Sequence, residues 1–275
     1  MAFDVKTVTV STGVTLPYIE SGDAKGVPVI FVHGLGGSHR SFEPVLETLP
    51  KRMHAIAVTQ RGHGDASRPA DDYRPEDLAA DLEAFMDALG IARAVIVGHS
   101  MGSLVARTFV HARPQRTLGI VLIGALAAWS SSPVMQELWN AVDCLGEPVP
   151  EDFVRDFQRS TLATPVPDAF FEMVIDESLK LPGYVWRAAT AGLIEHDRSF
   201  AASGSMVPAL IVWGDKDAFA TRNDQTVLWT GLKNSVLSVY VGTGHAVHWE
   251  MPVRFSADLS MWLRRVENGM AQRAA

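Results

Sequence analysis

The sequence predicts an α/β fold: a mostly parallel, eight-stranded sheet with helices on both faces and one helical insertion. Three observations carry this reading. Short apolar runs without alternation recur along the chain, as in strands buried on both faces. Segments with apolar residues at helical spacing fall between them. From about residue 127 to 201 the buried-strand runs stop, and helical patterns rich in large apolar side chains take over.

The elements follow in order. Residues 5–10 and 14–20 are β-branched or alternating and are joined by Thr12-Gly13, which reads as an antiparallel hairpin. Residues 28–32, "PVIFV", run apolar until His33-Gly34 cuts them off, and similar runs recur at 55–58, 94–97, 119–123, 209–213 and 236–241. Pro75 suits a first helical turn, Leu78, Leu82, Phe85 and Leu89 share one face, and Gly90 closes the segment. Residues 101–113 form a second helix, stopped by Pro114, and Phe255, Leu259, Trp262 and Val266 give a last helix its apolar face. The tail from Gly269 is expected to fray. Prolines 133, 148, 150, 165, 167 and 182 divide the insertion, which is expected to lie over the C-terminal edge of the sheet. The domains are therefore a core of residues 1–126 and 202–275 and a cap of residues 127–201.

Composition narrows the function classes. The chain has 275 residues, 47% of them hydrophobic, and a formal net charge of −7, with no basic face for nucleic acid. Cys144 is the single cysteine, so neither an intrachain disulfide nor a cysteine metal cluster is available. Residues 1–6 lack the basic flank and apolar run of a signal peptide, and no segment is apolar for long enough to span a bilayer. A soluble cytoplasmic protein without membrane partners is the expectation. No feature of the sequence specifies an oligomeric state.

The chemistry concentrates at "VIVGHSMGS", residues 95–103. Gly98-His99-Ser100-Met101-Gly102 fits G-x-S-x-G between a strand and a helix, the context in which that pattern lifts a serine hydroxyl clear of the sheet. Serine is a weak nucleophile and needs a base. His245 lies in "GTGHAVHWE", just past the last expected strand and so at the same sheet edge. His248 is its nearest rival and is expected to be structural or pocket-lining. His54, His111 and His196 are expected to be surface or satisfied polar residues. An orienting carboxylate is offered twice in "WGDKD". Asp217, farther past the strand, is favoured, with Asp215 as a cap for the loop or the following helix. The glycines of "FVHGLGG" let backbone N–H groups point into the site, and the candidate oxyanion donors are the N–H groups of Leu35 and Met101. This is not a phosphate loop, since no lysine follows Gly37.

The stretches "FVHGLGGS", "RGHGDASRP", "VGHSMGS", "IVWGDKD" and "GTGHAVHWEMP" together resemble the capped esterase/lipase-like members of the α/β-hydrolase superfamily. The resemblance implies nucleophile Ser100, acid Asp217, base His245, an oxyanion hole near Leu35 and Met101, a cap at about 127–201, and no metal or organic cofactor. It departs in three places. Thr59 stands where many relatives carry an aspartate, Ser67 comes one residue later than usual, and Ser103 replaces a common second glycine.

The expected activity is hydrolysis of a small-molecule carboxylic ester or lactone through an acyl-enzyme. Trp129, Trp139, Trp186 and Val247 are candidate pocket residues. The same residues would also suit a carbon–carbon bond hydrolase of the dienoic-acid type, with Arg187 as a candidate for a substrate carboxylate, or a perhydrolase. A small-molecule receptor with little turnover is the alternative outside enzymology.

Overall fold

The computed structural model describes residues 3–195 and 205–274. Eight strands form one sheet in the order β1-β2-β4-β3-β5-β6-β7-β8. β1 (Lys6–Thr9) and β2 (Thr15–Gly22) make the antiparallel hairpin, and β2 runs antiparallel to β4 (His54–Val58). β3 (Pro28–Val32), β4, β5 (Ala94–His99), β6 (Thr117–Ile123), β7 (Ala209–Gly214) and β8 (Ser235–Tyr240) are mutually parallel.

For β3 to β7 the uninterrupted apolar runs have the expected physical cause; the run at 236–241 does not, because β8 is an edge strand, and Val236 and Val241 are exposed. Successive side chains point to opposite faces, and in β3 to β7 both faces are dry. Ile30, Val32, Ile96, Leu122 and Ile211 join the core on one side, and Val29, Phe31, Val97, Val121 and Val212 the core on the other. Helices α2 (Pro75–Ala88) and α3 (Met101–Ala112) cover the first face. The second is covered by α1 (Glu43–Thr48) and by α10 (Pro252–Ala274), which buries Phe255, Leu259, Trp262, Leu263 and Val266. α10 continues to Ala274, so the expected fraying from Gly269 is not seen in the backbone: helical hydrogen bonds carry on past the last core contact.

Among the described residues between β6 and β7 lie four helices, α4 (Pro133–Asp143), α5 (Glu151–Ser160), α6 (Asp168–Leu179) and α7 (Gly183–Glu195). Pro133 is the first residue of α4, and Pro150, Pro167 and Pro182 immediately precede α5, α6 and α7. A proline there loses no hydrogen bond, because the first N–H groups of a helix have no partner within it. The end of the expected cap, to residue 201, and His196 fall outside the described residues. α8 (Arg222–Gly231) follows β7, and the short α9 (Val247–Glu250) precedes α10.

The register places the site. Val32 pairs with Gly98, Gly98 with Leu122, Ile123 with Val212 and Gly214 with Tyr240. Four loops, beginning at residues 33, 100, 215 and 241, therefore leave the sheet at one edge.

Candidate active site

Ser100 sits between β5 and α3 with φ 51 and ψ −118, a conformation L-residues rarely adopt. It is held there by hydrogen bonds at both ends. Its N–H donates to Ile123 O at 2.9 Å, and its carbonyl accepts from Ser103 N–H at 2.8 Å and the Ser103 hydroxyl at 2.6 Å. Ser103, unusual for the resemblance, thus anchors the strained turn. The flanking glycines are required by space. A Cβ on Gly98 would lie 2.1 Å from Gly102 O, and one on Gly102 would lie 2.1 Å from Val32 O.

His245 and Asp217 meet across two of the edge loops. His245 Nδ1 lies 2.9 Å from Asp217 Oδ2 and 3.0 Å from Oδ1, with both side chains buried. Asp217 Oδ1 also accepts the N–H groups of Phe219 and Ala220, at 2.8 and 2.9 Å. A carboxylate so placed accepts a hydrogen bond from Nδ1–H, which keeps the proton on Nδ1 and leaves Nε2 as the acceptor nitrogen. Asp215 does different work: its Oδ1 accepts Gly242 N–H at 2.6 Å, tying the loop after β8. It does not cap α8, whose N-cap is Thr221, with Asp224 N–H on its hydroxyl.

Ser100 and His245 line one cavity at this edge, with an empty volume of about 510 Å³ including its mouth. Its walls are Leu35, Leu126, Trp129, Met135, Leu138, Phe157, Leu193, Phe219 and Trp249, with Ser41, His99, Gln158 and Thr161 as the polar positions. Among the described residues, no lysine, arginine, aspartate or glutamate lines it. His99 is held neutral, well below the usual imidazole range, first by burial and then by His248 and His245.

The turn carrying Leu35 is well defined. Gly37 N–H donates to Gly34 O at 3.1 Å, and Gly36, at φ 77, supplies the left-handed residue that closes it. His33, fully buried, keeps its charge off through burial and the neighbouring His63. Its Nε2 accepts Gln60 N–H at 3.0 Å, so Nδ1 carries the proton and donates to Gly34 O at 2.8 Å. Among the described residues, neither Leu35 N–H nor Met101 N–H has an acceptor. Met101 opens α3, so its N–H is also at the positive end of the helix.

Of the four expected pocket residues, only Trp129 lines this cavity. Trp139 borders a separate groove with Gln136, Ala191 and Ile194. Trp186 is fully buried, its ring edge-on to Phe153 and Phe157 and its tip against Gly36. Val247 faces the other core, with α10. Helical phase accounts for the two tryptophans, since a large apolar residue in the insertion has both cap core and cavity to choose from, while Val247, in α9 outside the insertion, turns to the α10 side of the sheet. His248 is structural: it is fully buried against Phe42 and His99, and burial pushes its imidazole down to about 3. His54 pairs with Glu20. Phe219, Trp249, Gln158, Thr161, Leu126 and Leu193 were not singled out from sequence.

Thr59 replaces the expected aspartate without leaving a gap. Its hydroxyl accepts His39 N–H at 3.0 Å and lies 2.7 Å from His39 Nδ1. Ser67 fastens the same loop to β2 through Thr15 N–H, at 2.8 Å. Neither residue borders the cavity.

A sequence model described as "alpha/beta hydrolase fold" matches residues 27–252, from β3 to the start of α10. The chain belongs to the α/β-hydrolase fold family. This α/β hydrolase is 26% identical over 237 residues to AB hydrolase superfamily protein YisY of Bacillus subtilis, covering 82% of this chain and 87% of that one. It is 26% identical over 223 residues to Lipase 1 of Psychrobacter immobilis, covering 78% and 69%. Among solved structures, an enol-lactonase from Burkholderia xenovorans superposes with TM-score 0.84 at 22% identity, covering 94% of this chain and all of that one. A thermophilic esterase from Thermogutta terrifontis gives 0.83 at 22%, covering 96% and 99%. These two likenesses establish the fold. No described helix is long and apolar enough to cross a membrane.

Proposed function

We propose that this α/β hydrolase cleaves an uncharged carboxylic ester or lactone through a covalent acyl-enzyme. The observation that carries the reading is a buried Asp217–His245 pair whose imidazole lines the same cavity as a serine held at φ 51. Ser100 Oγ attacks the carbonyl carbon and passes its proton to His245 Nε2. Leu35 N–H and Met101 N–H receive the negative charge that forms on the carbonyl oxygen. The tetrahedral species collapses, and the imidazolium gives its proton to the departing alkoxide. Water, deprotonated in turn by His245, releases the acid and restores Ser100. Asp217 keeps the Nδ1 proton in place and stabilises the imidazolium throughout.

The lining supports this substrate class. Burying a carboxylate or ammonium group without a partner costs several kcal/mol, so a cavity with no charged side chain among its described lining residues favours neutral, apolar acyl or alcohol groups. This disfavours the dienoic-acid reading. Arg187, its candidate carboxylate partner, instead donates to Leu145 O at 2.5 Å and does not border the cavity. The likeness to Lipase 1 of Psychrobacter immobilis points to the same class of bond.

The test is hydrolysis of a panel of p-nitrophenyl esters and lactones by the wild type and Ser100→Ala. Turnover that disappears in the variant supports the reading. Ligand binding with negligible wild-type turnover across the panel would make the protein a receptor.

A further inference from the structure

The insertion reaches the turn that carries Leu35. Ser178, on α6 and fully buried, donates its hydroxyl proton to Gly36 O at 2.7 Å. Its oxygen accepts Gln158 Nε2–H, from α5, at 2.9 Å. Ser178 Oγ is also 2.8 Å from Val174 O in its own helix. That carbonyl already receives a helical N–H, whereas Gly36 O has no other donor among the described residues. Leaving a buried carbonyl unpaired is the costlier choice, so the proton belongs on Gly36 O. Gln158 Nε2 and the tip of Trp186 also press on the Gly36 α-carbon, each 2.9 Å from where a Cβ would stand.

Peptide geometry connects this contact to the reacting centre. Gly36 C=O and Gly37 N–H belong to one planar peptide unit. Gly37 N–H donates to Gly34 O. Gly34 C=O and Leu35 N–H belong to the next such unit. Gln158, Ser178 and the two peptides therefore form one of two branches that meet at Gly34 O, the other being the His33 Nδ1–H bond at 2.8 Å, and every link of this branch donates in the same sense, ending at Leu35 N–H. Each bond in such a chain polarises the next.

We propose that Ser178, supported by Gln158, is a positioning residue that sets the direction and donor strength of Leu35 N–H. The insertion thus tunes the rate of reaction as well as covering the cavity. This rests on the acyl-enzyme reading above, in which Leu35 N–H contacts the developing oxyanion. A donor that strengthens only as charge develops acts on kcat rather than on substrate binding.

The experiment compares Ser178→Ala, the near-isosteric weak donor Ser178→Cys, and Ser178→Thr with the wild type, with thermal melts to establish folding. The expected result is a fall in kcat of about tenfold for the Ala and Cys variants, with KM within about twofold. The pH midpoint of kcat/KM stays where it was, because His245 and Asp217 are untouched. Ser178→Thr, which restores the hydroxyl, returns kcat to within about threefold of wild type. Should Ser178→Ala fail to fold, Ser178→Cys decides. A folded Ser178→Cys with wild-type kcat, or a loss falling on KM instead, overturns the proposal. Ser100→Ala separates the two levels. If it is inactive while Ser178→Cys matches wild type, the relay alone is wrong. If it still turns over, or the wild type does not, the acyl-enzyme reading goes and the relay with it.

Discussion

Replacing Asp217 by asparagine tests the site most sharply, because the surrounding hydrogen bonds dictate how the amide must sit. Oδ1 of Asp217 accepts two backbone N–H groups, those of Phe219 and Ala220, and only an oxygen can do that. The asparagine nitrogen is therefore forced into the Oδ2 position, 2.9 Å from His245 Nδ1. There it is a donor facing a donor. The imidazole relieves the conflict by moving its proton to Nε2, which then has no lone pair to receive the serine proton. A wrong tautomer of this kind lowers kcat by about ten-thousandfold, or roughly 5 kcal/mol of transition-state stabilisation. Asp215→Asn is the matched control. Its amide oxygen still accepts Gly242 N–H, so kcat should stay within about threefold of wild type. The assay is steady-state ester hydrolysis, with near-ultraviolet circular dichroism to establish that both variants are folded. If Asp217→Asn keeps a tenth of wild-type kcat, or Asp215→Asn proves the more damaging, the assignment of the carboxylate fails.

Three other outcomes are expected. Burial holds His39 and His63 down to about 4 and His248 to about 3. Each protonates in the unfolded chain below about pH 6.5 but resists protonation in the folded one, so stability is full above that pH and drains as pH falls toward 4. At pH 5 the loss is about 2 kcal/mol per imidazole, a large share of a typical 5–15 kcal/mol, and urea midpoints at pH 7, 6 and 5 should fall steeply; a flat series would contradict it. Gly98→Ala places a methyl group 2.1 Å from Gly102 O and should cost about 4 kcal/mol or more, seen as insoluble protein or a collapsed Tm; wild-type melting would refute the steric account. Giving the acyl chain of a good p-nitrophenyl ester a terminal carboxylate should lower kcat/KM by about a hundredfold or more, and equal rates would mean the charge finds a partner.

The fold was legible because its central strands, β3 to β7, are buried on both faces. A run such as "VIFV" has no polar alternation to confuse its reading, and glycines mark where each strand must release its chain at the edge. The meeting of Asp217 with His245, and the strained turn at Ser100, could be anticipated for a related reason: turn chemistry is local, and each residue lies within a few positions of a strand end. The pocket was not legible in that way. Trp186 and Trp129 look alike as sequence, yet one fills the core of the insertion and the other faces the cavity. The choice depends on how four helices pack against one another, which no short window encodes. Gln158 and Ser178 carry no local signal at all. They matter because α5 and α6 bring them to Gly36, more than a hundred residues earlier in the chain.

The insertion performs two tasks at separable places. At the end of α5, Thr161 O accepts the N–H groups of both His245 and Ala246, at 2.8 and 3.1 Å. Glu250, beside them, accepts Gly244 N–H from the histidine loop and Thr164 N–H from the insertion, at 2.7 and 2.8 Å. With Ser178 on Gly36, this corner is tied by hydrogen bonds to the loops carrying His245 and Leu35. Movement here would disturb both the proposed base and the proposed oxyanion donor. Trp129 and, from α4, Met135 and Leu138 meet the cavity with apolar surface. Dispersion contacts are non-directional and tolerate exchange of shape far better than hydrogen bonds tolerate loss of a partner. Substitutions along α4 should therefore change which acyl chain fits, reading out in KM. Those at the α5–α6 corner should change how fast any bound ester reacts, reading out in kcat.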